Sequence, residues 1–325
     1  MGSGHWSATT YTERATLRAR SGTDTFHYSH VAKQTGQLRV HQTLDPHGLR
    51  IRESRDSADH PDSNSIIISL DVTGSMDRVV RGIHADLPRL HEMLLGYKYI
   101  PHPQILFGAV GDATCDAVPL QVGQFESDNR MDQNLEHMIL EGGGGGQKTE
   151  SYELMLYAAA RHTAIDCWEK RQRKGYLFMI GDEMAYPFVS RGHVKRLIDD
   201  GLQADVPIQQ IIDEVQQRYH LYYVIPGGAA HGADKDVLRF WTDRLGPNHV
   251  IQLDDPHDTS ESIALTIGVN EGAVSAGQGV DQLRERRGGV VSRTIDRLAA
   301  TLGSIFHPGG GGGGADPTDP GKRRL

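Results

Sequence analysis

Cysteine is nearly missing from this chain: its 325 residues include two, Cys115 and Cys167. Two cysteines cannot build the dense disulfide framework of a small secreted scaffold, and their spacing fits no metal-ligand motif. A reducing compartment is the simplest setting for them. No apolar run approaches the roughly 20 residues that a membrane-spanning helix needs. The opening Met1-Gly2-Ser3-Gly4-His5-Trp6 lacks the apolar core of a secretory signal. Basic surplus is lacking too, since 34 Lys and Arg stand against 42 Asp and Glu, a formal charge of −8. That balance is the wrong sign for a general nucleic-acid binder. Short basic patches at Lys170-Arg171-Arg173-Lys174 and Arg284-Arg286-Arg287 read as solvated helix faces. These absences lead to the expectation of a soluble, cytoplasmic protein with neither a membrane nor a nucleic-acid partner.

Chemistry is concentrated in Ser65-Ile66-Ile67-Ile68-Ser69-Leu70-Asp71-Val72-Thr73-Gly74-Ser75-Met76. The β-branched run predicts a short strand buried on both faces. Open α/β sheets place their ligand sites at the carboxyl ends of such strands. There Asp71, Thr73 and Ser75 offer one carboxylate and two hydroxyls within a single turn. Hard divalent cations take oxygen ligands of this kind and usually keep several waters. A second apolar run, Tyr176 to Gly181, ends in Asp182. Between the two runs, five glycines at 142–146 lead into Gln147-Lys148-Thr149-Glu150, where Thr149 is expected to cap the following helix.

This constellation resembles the von Willebrand factor A (vWA) domain with its metal-ion-dependent adhesion site, MIDAS. The family's Asp-x-Ser-x-Ser stands here as Asp71-x-Thr73-x-Ser75, its loop Thr matches Thr149, and its strand-end Asp matches Asp182. Glu183 replaces the glycine that commonly follows that Asp. The resemblance covers residues 63–270 and implies a doubly wound, mostly parallel six-stranded sheet with helices on both faces. It implies a metal site of Asp71, Thr73, Ser75, Thr149 and Asp182 holding Mg²⁺, with Mn²⁺ or Ca²⁺ as alternatives. By the same resemblance the chain is a binding module and not an enzyme. Its protein partner supplies an Asp or Glu to the open metal position. Intracellular relatives suggest an AAA+ ATPase or another assembly subunit as that partner.

Around this core, residues 1–62 read as an irregular extension with a β-hairpin at Gln37–His41 and Leu49–Arg52 across Asp45-Pro46-His47-Gly48. Residues 271–307 read as a C-terminal helical segment, with one amphipathic helix over 279–306. Residues 308–325, opening on Gly309 to Gly314, read as a flexible tail. Apolar spacing from Val79 to Leu94 predicts one helix beginning near Met76, and another is expected over 129–140.

The same residues bear on rival readings. A haloacid-dehalogenase-type phosphatase needs a second acid where Thr73 stands, and a phosphate-binding P-loop needs Gly-Lys-Ser/Thr where Gln147 intervenes. A metal-dependent hydrolase would rely on Asp71, Asp182 and Glu183, but a two-metal enzyme needs carboxylates where hydroxyls occur. A third reading is a structural subunit whose site only stiffens the fold. Asp112 is a candidate to bond metal waters and Asp116 part of an acidic rim. Of the 17 histidines, none pair at metal spacing on a helix face, and His102, His220 and His249 read as structural.

Overall fold

The computed structural model describes residues 4–142, 148–289 and 291–306, with the side chains of Ser75 and of residues 304–306 outside that description. Its centre is one six-stranded sheet. Numbered along the chain, the strands are β1 Asn64–Asp71, β2 Pro103–Val110, β3 Leu120–Val122, β4 Gly175–Ile180, β5 Tyr219–Ile225 and β6 Val250–Gln252. The spatial order is β6-β5-β4-β1-β2-β3. All neighbours run parallel except β3, which is antiparallel to β2.

Why these segments are strands is visible in how they share their side chains. Successive residues of a strand point to opposite faces. Ile66, Ile68 and Leu70 of β1 accordingly enter one apolar cluster while Ile67 enters another. β4 divides likewise, with Tyr176, Phe178 and Ile180 in the first cluster and Leu177 and Met179 in the second. Each fully buried side chain of this size contributes about 1.5–3 kcal/mol. A run that is apolar at every position is therefore stable only between two layers.

The first cluster takes Val79, Val80 and Ile83 from the helix Asp77–Ala85, and Ile263 and Ile267 from Thr259–Asn270. The second takes Ile208, Ile211, Ile212 and Val215 from the helix Ile208–Arg218, whose i, i+3, i+4, i+7 spacing puts one stripe against the sheet. Two further helices, Ala276–Arg286 and Arg293–Phe306, place Leu283, Ile295 and Leu302 in the first cluster. The Arg287 guanidinium pins this C-terminal pair by donating to Asp258 at 2.9 Å and to Glu261 at 3.1 Å, both buried. Among the described residues no helix is long and apolar enough to cross a membrane.

Several expectations are corrected. Residues 37–51 form no hairpin; the extension instead carries the helices Ala8–Ser21 and His27–Thr35. Arg52–Ser54 pairs in parallel with Thr163–Ile165, too far along the chain to be a hairpin partner. Of the alternating apolar residues, Leu38 and Val40 pack partly buried against a small third cluster, Leu49 is buried in the second, and Ile51 stays exposed, so they share no hairpin face. The helix after β1 breaks at Asp86 into Asp77–Ala85 and Leu87–His91, where Pro88 cannot donate to the preceding turn. The segment at 129–140 is helical only over Arg130–Glu136. The single C-terminal helix is two helices that fold back on each other. The glycines at 143–146 and the tail at 308–325 lie outside the described residues.

Candidate metal centre

β1 ends on Asp71, whose carboxylate is fully buried. One oxygen, Oδ1, accepts the Thr73 backbone N–H at 2.8 Å and the Thr73 hydroxyl at 2.6 Å. The other, Oδ2, accepts the Tyr152 phenol at 2.7 Å. Three of the roughly four lone-pair directions of a carboxylate are thus committed. Thr73 donates its only hydroxyl proton to Asp71, so its oxygen faces any further neighbour as an acceptor.

Tyr152 reaches Asp71 because the neighbouring strand leaves room. A β-carbon at Gly181, just past the end of β4, would collide with the Tyr152 phenol. The Tyr152 ring packs edge-on against Tyr223 and Trp241, with centroids 5.6 and 5.8 Å away. Tyr223 and Trp241 in turn donate to the Glu183 carbonyl at 2.7 and 2.8 Å. An aromatic wedge therefore fixes both Asp71 and the chain that follows Asp182.

Asp182 follows β4, the strand beside β1. It is fully buried, and its Oδ2 accepts the His231 N–H at 2.8 Å. Among the described residues its Oδ1 is buried without a hydrogen-bond partner. One Oε2 each of Glu150 and Glu183 is orphaned in the same way. Unpaired buried carboxylate oxygens are costly, so three around one strand mouth require an explanation. Among the described residues no salt bridge involves Asp71, Glu150 or Asp182.

The electrostatics follow from that crowding. Burial pushes the Asp71 carboxyl up to about 6; its bonds to Thr73 and Tyr152 oppose the rise and the Asp182 charge adds to it. Burial, then the charges of Asp71, Glu183, Asp116 and Asp112, push Glu150 up to about 10. Glu183 is pushed up to about 8 by burial and by Asp71, Asp182 and Asp112. Carboxylates that raise one another in this manner share one negative field. A divalent cation would relieve it, and the oxygen-only donor set suits a hard one. The residue chemistry suits such an ion: Thr73, Asp182 and Glu150 would supply oxygens, and Asp71, which accepts the Thr73 hydroxyl, would orient that ligand.

The predicted ligands divide accordingly. Asp71, Thr73 and Asp182 come together at the mouths of two adjacent strands. The Ser75 backbone lies in a 3-10 turn, Gly74–Met76, while its side chain lies outside the described residues. Thr149 does not cap a helix. It pairs with Met184 in a two-residue strand, and the helix Tyr152–Arg161 starts after Ser151. The physical reason is that the Ser151 hydroxyl accepts from the Ala113 N–H at 2.9 Å, tying this turn to the end of β2. The Thr149 side chain bonds Tyr186. Asp112 lies on the same rim, accepting from the Thr114 hydroxyl at 2.8 Å and the Tyr186 phenol at 3.0 Å. Asp116 accepts the Asp112 N–H at 2.7 Å and so belongs to the rim as expected. Glu150 and Tyr152 went unforeseen, although both stand within three residues of Thr149.

No family model and no curated protein matches the chain. Among solved structures it is similar to the pilus adhesin SpaC from Lactobacillus rhamnosus GG in its open conformation. That match has 8% identity and a TM-score of 0.42, over 68% of this chain and 31% of the adhesin. Proximal thread matrix protein 1 from the mussel byssus gives 10% identity and a TM-score of 0.40, over 63% and 47%. The chain spans less than half the length of either solved chain.

Proposed function

We propose that this chain is a metal-dependent protein-interaction module of the vWA type, with a MIDAS-like site that holds Mg²⁺. The observation that carries the reading is the buried Oδ1 of Asp182, without a hydrogen-bond partner among the described residues, at the strand mouth beside the Asp71–Thr73 pair. On this reading the sheet and its two apolar clusters form a doubly wound vWA domain over residues 63–270, with helices on both faces. Thr73, Ser75, Asp182 and Glu150 contribute oxygens, and Asp71 acts mainly by orienting Thr73. Thr149, a ligand in the family pattern, is assigned here to the rim beside Glu150, where it bonds Tyr186. The bound cation is Mg²⁺, with Mn²⁺ or Ca²⁺ as substitutes, and it supplies the positive charge that attracts a partner's Asp or Glu. The partner is a protein, an AAA+ ATPase or another subunit of a cytoplasmic assembly.

The hydrolase reading has less support. Asp71 is fully buried and holds three hydrogen bonds, which leaves it no face for attack on a substrate or a water. Glu183, its proposed companion, is tethered by its backbone to Tyr223 and Trp241. A non-catalytic role is therefore proposed. The test is affinity capture from the source lysate with the full chain, in Mg²⁺ and in EDTA, using wild type and Thr73→Ala. A partner retained only by wild type in Mg²⁺ is the expected result. Equal capture in all conditions would leave the site a stiffener of the fold.

A further inference from the structure

A second site lies at the opposite end of the sheet. His60 stands four residues before Asn64, where β1 begins, and His102 directly precedes Pro103, where β2 begins. Together with His5, Trp6, His91 and Lys98 they line a cavity of about 370 Å³. Asp71 closes the other end of β1, so this cavity is separate from the carboxylate cluster.

The tautomer of His60 is set by its neighbours. Its Nε2 lies 2.8 Å from the Gly4 carbonyl, a contact that only a protonated nitrogen can make. In the neutral ring Nδ1 then carries a lone pair, and that atom lies 3.3 Å from His102 Nδ1. A ring whose far N–H is anchored on a carbonyl is the usual arrangement of a metal-bound histidine. Zinc–nitrogen bonds of about 2.0–2.1 Å at tetrahedral angles separate two nitrogens by roughly 3.3–3.4 Å. The observed separation matches that tetrahedron edge, whereas 3.3 Å is long for a direct hydrogen bond.

The surroundings hold this geometry in place. His60 is 3% exposed. Its N–H donates to the Ser57 hydroxyl at 3.1 Å, and the Ser57 N–H returns to its carbonyl at 3.0 Å. The Gly4 carbonyl also accepts the Ser127 hydroxyl at 2.7 Å. His102 has φ +45°, and Lys98 on the same cavity has φ +56°, conformations unfavourable for residues with a β-carbon. Such outliers persist where the surroundings over-determine them and gather at binding sites. The His5 ring sits edge-on to His60 with centroids 4.8 Å apart, so a third imidazole neighbours the pair. Among the described residues no carboxylate lines the cavity, and Lys98, the one lysine among them there, is exposed to water.

We infer that His60 and His102, joined by His5, form a binding site for one divalent transition-metal ion of borderline softness, Zn²⁺ foremost. An all-imidazole set with no hard oxygen selects zinc, nickel, copper or cobalt over magnesium. Two or three protein ligands leave a position open toward the cavity, where water or a small ligand completes the shell. This site stands independently of the Mg²⁺ reading.

The full chain in excess Mg²⁺ is titrated with Zn²⁺ against a chromophoric chelator, and with Co²⁺ while visible absorption is followed. Wild type and Asp71→Asn are expected to take one equivalent. His102→Ala and His60→Ala should each weaken binding by about tenfold or more. His60→Ala also loses the Gly4 contact, so His102→Ala and His5→Ala report on the site without it. Absent binding in wild type, or unchanged binding in His102→Ala, would overturn the assignment and leave the pair as an ordinary hydrogen bond. Loss in His84→Ala alone would overturn it too, by placing the ion with His84, Asp132 and Glu136. Those three cluster within ligand reach of one another, but Arg14 and Arg18 already pair with the carboxylates.

Discussion

Tyr152 donates its phenolic proton to Asp71 Oδ2 at 2.7 Å, joining the first turn of one helix to the end of a strand 81 residues earlier. Both partners are buried, so the bond lies where an unmade hydrogen bond costs most. Tyr152→Phe should destabilise the protein by about 1.5–3 kcal/mol, because it strands a carboxylate oxygen away from water. Urea unfolding of the variant beside wild type measures the loss. A variant as stable as wild type would mean that Asp71 does not depend on this phenol.

Gly181 makes that bond possible by lacking a side chain. Gly181→Ala should cost about 1–3 kcal/mol, since the new methyl presses on the Tyr152 phenol. Combining it with Tyr152→Phe should cost less than the two single losses summed, since both act on one contact. A double-mutant cycle on unfolding midpoints tests the coupling, and strict additivity would contradict it.

Acid crowding gives a pH signature. Glu183 is raised from the ordinary glutamate value, near 4.3, to about 8, so the metal-free folded state holds a proton that the unfolded chain releases. Stability should be full below about pH 4 on account of this group and should fall as pH rises through about 8. Burial pushes Glu153 to about 8 as well, so Glu183→Gln should flatten the profile only in part. Melting temperatures in EDTA from pH 5 to 9 measure it. Saturating Mg²⁺ should flatten the wild-type profile, because the cation offsets the carboxylate charge.

The C-terminal helices can be loosened through one cation. Arg287→Ala removes a bond from each of Asp258 and Glu261, although Arg89 still pairs with Glu261. A loss of about 2–4 kcal/mol is expected, within the range for stripping a buried charge of its partner. Arg284→Ala nearby, whose pairs with Asp281 and Asp296 are exposed, should change stability by less than about 1 kcal/mol.

The strands were legible because their causes are local. Ile66 to Leu70 is apolar at every position but Ser69, and burial on two faces is the way such a run leaves water. Asp71 and Asp182 were legible as acids at the ends of those runs. The N-terminal helices were not, because only Tyr11 of Ala8–Ser21 is buried, which leaves no apolar period to find. Thr149 was misread as a helix cap because its contacts, Met184 and Tyr186, come from a segment 35 or more residues away. Glu150 went unnoticed for a similar reason: an acid reads as surface until its buried neighbours are known. The His60–His102 pair belongs to two strand mouths and has no sequence period at all.

Metal binding at the strand mouth that Asp71 organises is the central claim, and Mg²⁺-dependent melting of wild type and Asp71→Asn tests it most directly. Asn preserves the shape and removes the charge. At a hundredfold excess of Mg²⁺ over its dissociation constant, wild type should gain about 2.7 kcal/mol, because ligands on separate strands bind only in the folded chain. Asp71→Asn should gain much less over the same titration. Equal gains for the two proteins, or no gain for wild type, would contradict a metal centre at this strand mouth.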